Sequence, residues 1–194
     1  MCGRYHLEDE LMEYFRQRAD RIEEEVKNES YDRDIYPSND APILYKEDKE
    51  IVLGLKSWGY PGFKGKGLLI NARSETVTKK KTFINGIFNK RIIIPASSYY
   101  EWNAVKEKVA FYRKDNMPIY MAGFYDNFEG EDKFVILTTN ANTSVDNIHD
   151  RMPLILESEQ MEDWLDDEKW VKYLSLIPTD LRHTQTMEQQ NMLF

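Results

Sequence analysis

A chain of 194 residues, 41% apolar and 31% charged, has the make-up of one globular domain spanning residues 1–194 that can bury a single core. No apolar run approaches a membrane span, and no basic segment leads into an apolar stretch at the start, so neither a membrane partner nor a signal peptide is expected. The formal net charge of −8 speaks at first against polyanions, and one cysteine with three scattered histidines predicts no disulfide, no metal, no cofactor and a reducing, cytoplasmic setting.

In chain order, residues 7–28 read as an amphipathic helix, with Leu7, Leu11, Tyr14, Phe15, Arg18, Ile22 and Val26 at helical spacing. A Pro/Asn/Asp-rich connector over 35–42 leads into runs at 42–46 and 51–58 whose β-branched and aromatic residues predict strands. Residues 59–67 form a turn-rich loop bearing Tyr60, Phe63, Lys64 and Lys66, followed by a short apolar strand at 68–70. Ser74 before Glu75 has the form of a helix N-cap with an acid in the first turn, predicting a helix to about Phe88. Strands are predicted at 91–95, 109–113, 118–124, 134–139 and 153–156, a helical turn at 143–149, and a helix capped by Ser158 containing Met161, Trp164 and Leu165. Strands outnumber helices without alternating with them, which makes the expected class α+β: a curved, mostly antiparallel sheet with flanking helices.

The residues that carry chemistry begin at Met1-Cys2-Gly3-Arg4. Removal of Met1 leaves Cys2 with a free α-amine and a thiol on adjacent carbons. Such a 1,2-aminothiol captures aldehydes: the amine forms an imine, sulfur closes onto the imine carbon, and a thiazolidine results. On the dipeptide alone, Cys2 reads more readily as a small hydrophobe that happens to follow the initiator. Three further segments set polar groups where a strand meets a turn: Asn71-Ala72-Arg73-Ser74-Glu75-Thr76, Pro95-Ala96-Ser97-Ser98-Tyr99-Tyr100-Glu101-Trp102, and Ile148-His149-Asp150-Arg151-Met152-Pro153. Taken singly, Asn71 could cap its turn, Glu101 could pair with a core arginine, and the His149 segment could be a structural loop.

Taken together and in order, these segments, with Ala122-Gly123-Phe124-Tyr125 and Thr138-Thr139, resemble the SOS response-associated peptidase family, over residues 1 to about 156. The resemblance implies a barrel-like core and a protein that crosslinks itself to abasic sites in single-stranded DNA. By it, Cys2 is the covalent residue, and Asn71, Glu101 and His149 complete the catalytic set. His149 suits proton transfer in opening the sugar; Glu101, between Tyr100 and Trp102, suits proton shuttling with a carboxyl pushed up by desolvation; Asn71 can only orient by hydrogen bonding. The chain departs from the family pattern at Ser97-Ser98, where a glycine is usual, and in the short loop after Trp58.

The charge distribution fits a DNA partner. Residues 54–100 hold nine Lys and Arg against one acid, Glu75, for a local +8, while nine acids fall within 7–29 and seven within 157–168. Arg4, Arg73 and Arg151 each lie two residues from a catalytic position and are expected to grip phosphates. Trp58, at a position the family resemblance matches, is expected to stack a base, with the core as its alternative, and Phe63 either stacks a base or joins the core; Lys79-Lys80-Lys81 reads as a solvated helix face. A monomer is expected, associating with the nucleoid when bound to DNA. The alternative is an N-terminal-nucleophile thiol peptidase or amidohydrolase that removes Met1 autoproteolytically; a single-strand binding module with an incidental Cys2 is a third possibility.

Overall fold

Runs of β-branched and aromatic side chains between residues 40 and 140 build the centre of the molecule. In the computed structural model, which describes residues 2–189, the strands Glu50–Trp58, Asp40–Glu47, Arg91–Ala96, Ile119–Phe128 and Glu131–Asn140 pair in that order, antiparallel at each step. A parallel pairing of Lys133 with Ser57 and Phe134 with Trp58 joins the last strand to the first and closes the five into a barrel. Arg91–Ala96 is buried at every position, because one face fills the barrel and the other is covered. The Met161–Leu165 helix supplies part of that cover, Trp164 Nε1 donating to Ile92 O at 2.8 Å. The fold is α+β with a mostly antiparallel, barrel-like core, as expected.

A second, wholly antiparallel sheet orders Leu181–Gln189, Glu107–Arg113, Ser98–Trp102, Tyr5–Leu7 and Arg33–Ile35. Its Leu181–Gln189 strand lies in a tail to which the sequence assigns no element. Residues 1 and 190–194 of the expected domain fall outside the described residues. Among the described residues, no helix is long and apolar enough to cross a membrane.

The structure redraws two predicted helices. Of residues 7–28, Asp9–Arg16 is α-helical and buries Leu11, Met12 and Phe15. The chain then lays Arg21–Ile22 parallel to Val52 and Leu53 and makes one more turn at Glu24–Lys27. Acidic side chains cause the break. Asp20 accepts from the Ile51 amide at 2.8 Å, and Glu23 accepts from the Leu55 amide at 3.1 Å and the Tyr45 hydroxyl at 2.6 Å. These bonds satisfy the open edge of a barrel strand, which outweighs weak helix propensity. Ser74 caps no helix; its amide donates to Thr138 O at 2.9 Å, and the helix waits until Lys81–Asn89.

Closing so small a barrel leaves no room for a side chain at Gly123, where a Cβ would sit 2.5 Å from both Ile94 Cδ1 and the Val135 carbonyl oxygen. The carbonyl belongs to the paired strand and cannot yield without breaking register. Gly123→Ala is expected to destabilise the fold by about 1–3 kcal/mol through overpacking, read as a lower urea midpoint with an unchanged slope.

Candidate active site

The seam of the barrel positions the first site residue. Trp58 has no accessible surface; it stacks on Phe134 with ring centres 6.2 Å apart, and its Nε1 donates to Ile70 O at 3.0 Å. That bond pins the start of Asn71–Arg73, which runs parallel to Glu131–Asn140 with Asn71 opposite Ile136. Asn71 then reaches the amino-terminal segment, Nδ2 donating to Cys2 O at 2.9 Å. Its Oδ1 is buried and accepts no hydrogen bond. The expectation that Trp58 stacks a base is corrected: an enclosed ring cannot receive one, and its work is to hold the strand that carries Asn71.

The second sheet brings in Cys2 and Glu101. Tyr5 pairs opposite Tyr99, and the Tyr100 amide donates to Arg4 O at 3.0 Å, which draws the amino terminus along Ser98–Trp102. The turn before that strand takes no positive φ; the Ser97 amide donates to His6 O at 2.9 Å and its hydroxyl accepts from the Glu8 amide at 3.1 Å, so serine replaces the family's glycine without strain. Cys2 is fully enclosed, its Sγ donating to Arg4 O at 3.7 Å. Burial, then the negative charge of Glu101, push its thiol far above the usual range, so it stays protonated. Glu101 is 2% exposed, and burial pushes its carboxyl up to about 7, with the positive amino terminus offsetting part of the rise and Asp150 adding to it.

His149 ends a turn in which its amide donates to Val145 O at 3.0 Å. The Arg151 amide donates to His149 Nδ1 at 3.0 Å, which leaves the ring hydrogen on Nε2. Asp150 also approaches Nδ1 at 2.9 Å, but an amide hydrogen cannot be turned away, and burial lowers the ring's pKa, so the neutral form prevails, its Nδ1 lone pair accepting from the Arg151 amide. Asp150's charge reaches both His149 and Glu101, which puts the two in one electrostatic neighbourhood.

The three expected phosphate-binding arginines part company. Arg151 is buried; it forks onto Glu75 with two bonds of 2.9 Å and donates to Asn140 Oδ1 at 2.7 Å and Thr138 O at 2.8 Å. It is a staple for the His149 turn, and the phosphate role is withdrawn because the guanidinium is enclosed, both terminal nitrogens are engaged and its charge is matched by Glu75, with only the buried Nε unpartnered. Arg4 is held by Asp34 between the rings of Tyr36 and Tyr100, each 5.0 Å away, so it brings no unmatched charge. Arg73 alone is exposed and without an ion pair. Among the described residues Lys64, Lys66, Lys79, Lys80 and Lys81 share that state, as do Arg18, Lys46, Lys49 and Arg182 elsewhere, while most other cations are matched to acids. Phe63, 82% exposed, projects from the turn linking Tyr60–Pro61 to Leu68–Leu69, and so is not core.

Sequence reasoning passed over Tyr5 and Tyr99, which wall the Cys2 pocket with buried hydroxyls. Strand periodicity could have found Tyr99, since it lies two residues before Glu101 and so shares its face. Among the described residues, no three His, Cys, Asp or Glu side chains converge to hold a metal ion.

The model of the SOS response associated peptidase (SRAP) family matches residues 1–191. The abasic site processing protein YoqW of Bacillus subtilis is 33% identical over 183 residues, covering 85% of this chain and 80% of that protein. The abasic site processing protein YedK of Escherichia coli is 30% identical over 182 residues, covering 87% and 81%. A protein from Bacteroides thetaiotaomicron superposes with a TM-score of 0.79 at 24% identity, over 95% of this chain and 91% of that one, and shows the same fold.

The raised carboxyl has a thermodynamic signature. Glu101 titrates near 7 folded and near 4.5 unfolded, so native protein binds more protons than unfolded chain between those values, and its contribution to stability falls as pH rises through that window. Glu101→Gln removes the titration. The variant is expected to be more stable than the parent at pH 8 by up to about 3 kcal/mol, with the difference shrinking towards zero at pH 4.5, read from urea unfolding at the two pH values.

Proposed function

This chain belongs to the SOS response associated peptidase family, and from that membership and its pocket we propose that it captures abasic sites in single-stranded DNA by closing a thiazolidine on Cys2 after Met1 is removed. The observation that carries the reading is the meeting of Cys2, Asn71 and Glu101 in one enclosed pocket, with Asn71 Oδ1 buried and awaiting a donor. A liberated α-amine, or the hydroxyl of an opened sugar, supplies that donor.

An abasic deoxyribose reacts only as its open aldehyde. Neutral His149 can pass its Nε2 hydrogen to the ring oxygen as the hemiacetal C–O bond breaks and take the hydroxyl proton in its place, which releases the aldehyde. The Cys2 amine adds to the carbonyl carbon, giving a carbinolamine. Glu101 in its acid form donates a proton to the departing hydroxyl, water leaves, and an iminium remains. Sulfur then attacks the iminium carbon, the C=N π pair returns to nitrogen, and the thiol proton goes to the Glu101 carboxylate, which restores the acid. A carboxyl near 7 is populated in both forms at neutral pH, as the two transfers require.

Burial of the thiol favours this order over the alternative. A thiol hydrolase attacks an amide as thiolate, and burial pushes Cys2 away from that form. Thiazolidine closure starts from the amine and needs no free thiolate. Stopping at the imine would promote β-elimination and strand breakage, so sulfur is what separates a shield from a lyase.

Single-stranded DNA is the partner that the exposed cations fit. Arg73, Lys79, Lys80 and Lys81 follow Asn71 directly in the chain, and exposed Phe63 lies on the preceding hairpin, available to stack a base.

Two experiments test the reading. Cys2→Ala is expected to lose the denaturation-stable adduct with an abasic single-stranded oligonucleotide while its terminal amine still nicks the strand; an undiminished stable adduct on a denaturing gel would defeat the proposal. Replacing Lys79, Lys80 and Lys81 by Gln is expected to flatten the plot of log affinity against log salt by about 2, given about 0.7 per phosphate contact on single strands, measured by fluorescence anisotropy.

A further inference from the structure

The mechanism leaves two buried groups unused. Tyr5 and Tyr99 have no accessible surface, and neither hydroxyl has a hydrogen-bond partner. Several other buried or half-buried tyrosines find an acceptor: Tyr45 donates to Glu23 at 2.6 Å, Tyr31 to Glu29 at 2.9 Å and Tyr100 to Asp34 at 3.1 Å, whereas the buried Tyr60 hydroxyl, like those of Tyr5 and Tyr99, has none. A phenol taken out of water with nothing to bind costs free energy, and two such groups in register at one pocket call for a ligand that arrives later.

Strand geometry brings both to the segment that holds the thiol, where Arg4 O accepts from Cys2 Sγ at 3.7 Å and from the Tyr100 amide at 3.0 Å. Tyr5 lies directly opposite Tyr99 in the antiparallel pair, and Glu101, two residues beyond Tyr99, points from the same face. Each ring is wedged. Tyr5 leans on Trp58 with centres 5.3 Å apart, and Tyr99 stacks on Phe111 at 5.0 Å with planes 13° apart. Rings packed this way cannot swing their hydroxyls out to water. Burial first, then the charges of Glu101 and Cys2, hold the Tyr99 proton on its oxygen; burial and then Cys2 do the same for Tyr5. Both are therefore donors without acceptors, close enough to Cys2 to feel its charge.

We propose that Tyr99, seconded by Tyr5, is a positioning residue for sulfur: its O–H is the donor that Cys2 Sγ takes up when it leaves the Arg4 carbonyl and turns onto the imine carbon. This rests on the thiazolidine reading above. In the closing step a sulfur lone pair forms the S–C bond, the C=N π pair returns to nitrogen and the thiol proton passes to the Glu101 carboxylate; the Tyr99 proton stays on its oxygen throughout. Imine formation uses only the amine and does not involve the phenols. Loss of the hydroxyls therefore slows closure without slowing capture.

The test uses the full chain with Met1 removed, an abasic single-stranded oligonucleotide, and the variants Tyr99→Phe, Tyr5→Phe and the double. Borohydride quenching counts imine plus thiazolidine, and denaturation without borohydride counts thiazolidine alone. In the parent the two yields are expected to coincide. In Tyr99→Phe the borohydride-dependent fraction is expected to accumulate, with ring closure slowed about tenfold, more strand cleavage, and a smaller effect for Tyr5→Phe. A purely structural role moves the melting temperature and leaves that partition alone. Parent-like closure in both Tyr99→Phe and the double variant overturns the assignment. Absence of any borohydride-independent adduct in the parent overturns the thiazolidine reading, and this assignment with it, and is a distinct result.

Discussion

Burial holds both a thiol and a carboxyl group in their protonated forms at this site, and the carboxylate opposes the thiol's ionisation further; the chemistry of the site follows from those two effects. Burial alone disfavours either anion; a carboxylate beside Cys2 then makes the thiolate worse still. The proton that the pair retains goes first to sulfur, whose ordinary value is the higher of the two, and the carboxyl is left to titrate near neutrality. A nucleophile locked as thiol cannot lead a reaction, but it can finish one whose electrophile is already bound as an iminium. In the proposed capture, the order of events, nitrogen before sulfur, is thus a consequence of where the pocket puts its protons.

Such a pocket survives only if both walls are rigid, and they are built from different sheets. On one side, closure of the barrel at Phe134 and Trp58 holds Ile70, and through it Asn71, against the Cys2 carbonyl. On the other, pairing of Tyr5 with Tyr99 carries Cys2 to Glu101. His149 enters from a turn stapled by Arg151, whose buried terminal guanidinium nitrogens are held by Glu75, Asn140 and Thr138. The stability lost at a carboxyl held near 7 is a local loss, carried by a core in which Arg91–Ala96 is wholly buried.

The barrel was legible in the sequence because its strands are continuous apolar runs, and runs of that kind survive any register. What depended on a direction in space was not. Helical spacing over 7–28 is real, but nothing in it tells that Asp20 and Glu23 will serve a barrel edge instead of a helix surface. Spacing put Arg4, Arg73 and Arg151 each two residues from a catalytic position, yet only Arg73 reaches solvent unpaired, because the acids that claim the others, Asp34 and Glu75, come from distant chain segments. Trp58 reads the same whether it faces a base or a core. The phenols of Tyr5 and Tyr99 pass as apolar packing until their hydroxyls are seen to lack acceptors.

The acidic balance of the whole chain and a polyanionic partner are reconciled by how charges pair. Acids outnumber cations, but around the barrel most cations are consumed in short-range pairs such as Lys90 with Asp126 and Arg113 with Glu157. A matched pair presents a strand with little more than a dipole. Unmatched acids elsewhere act through salt water, where a charge fades over about 8–10 Å at physiological ionic strength. A phosphate arriving beside Asn71 therefore responds to Arg73 and the run Lys79-Lys80-Lys81, all exposed and unpaired, more than to the distant surplus. The same surplus weakens the field over the rest of the surface, which under the proposed capture favours phosphates that arrive near the pocket.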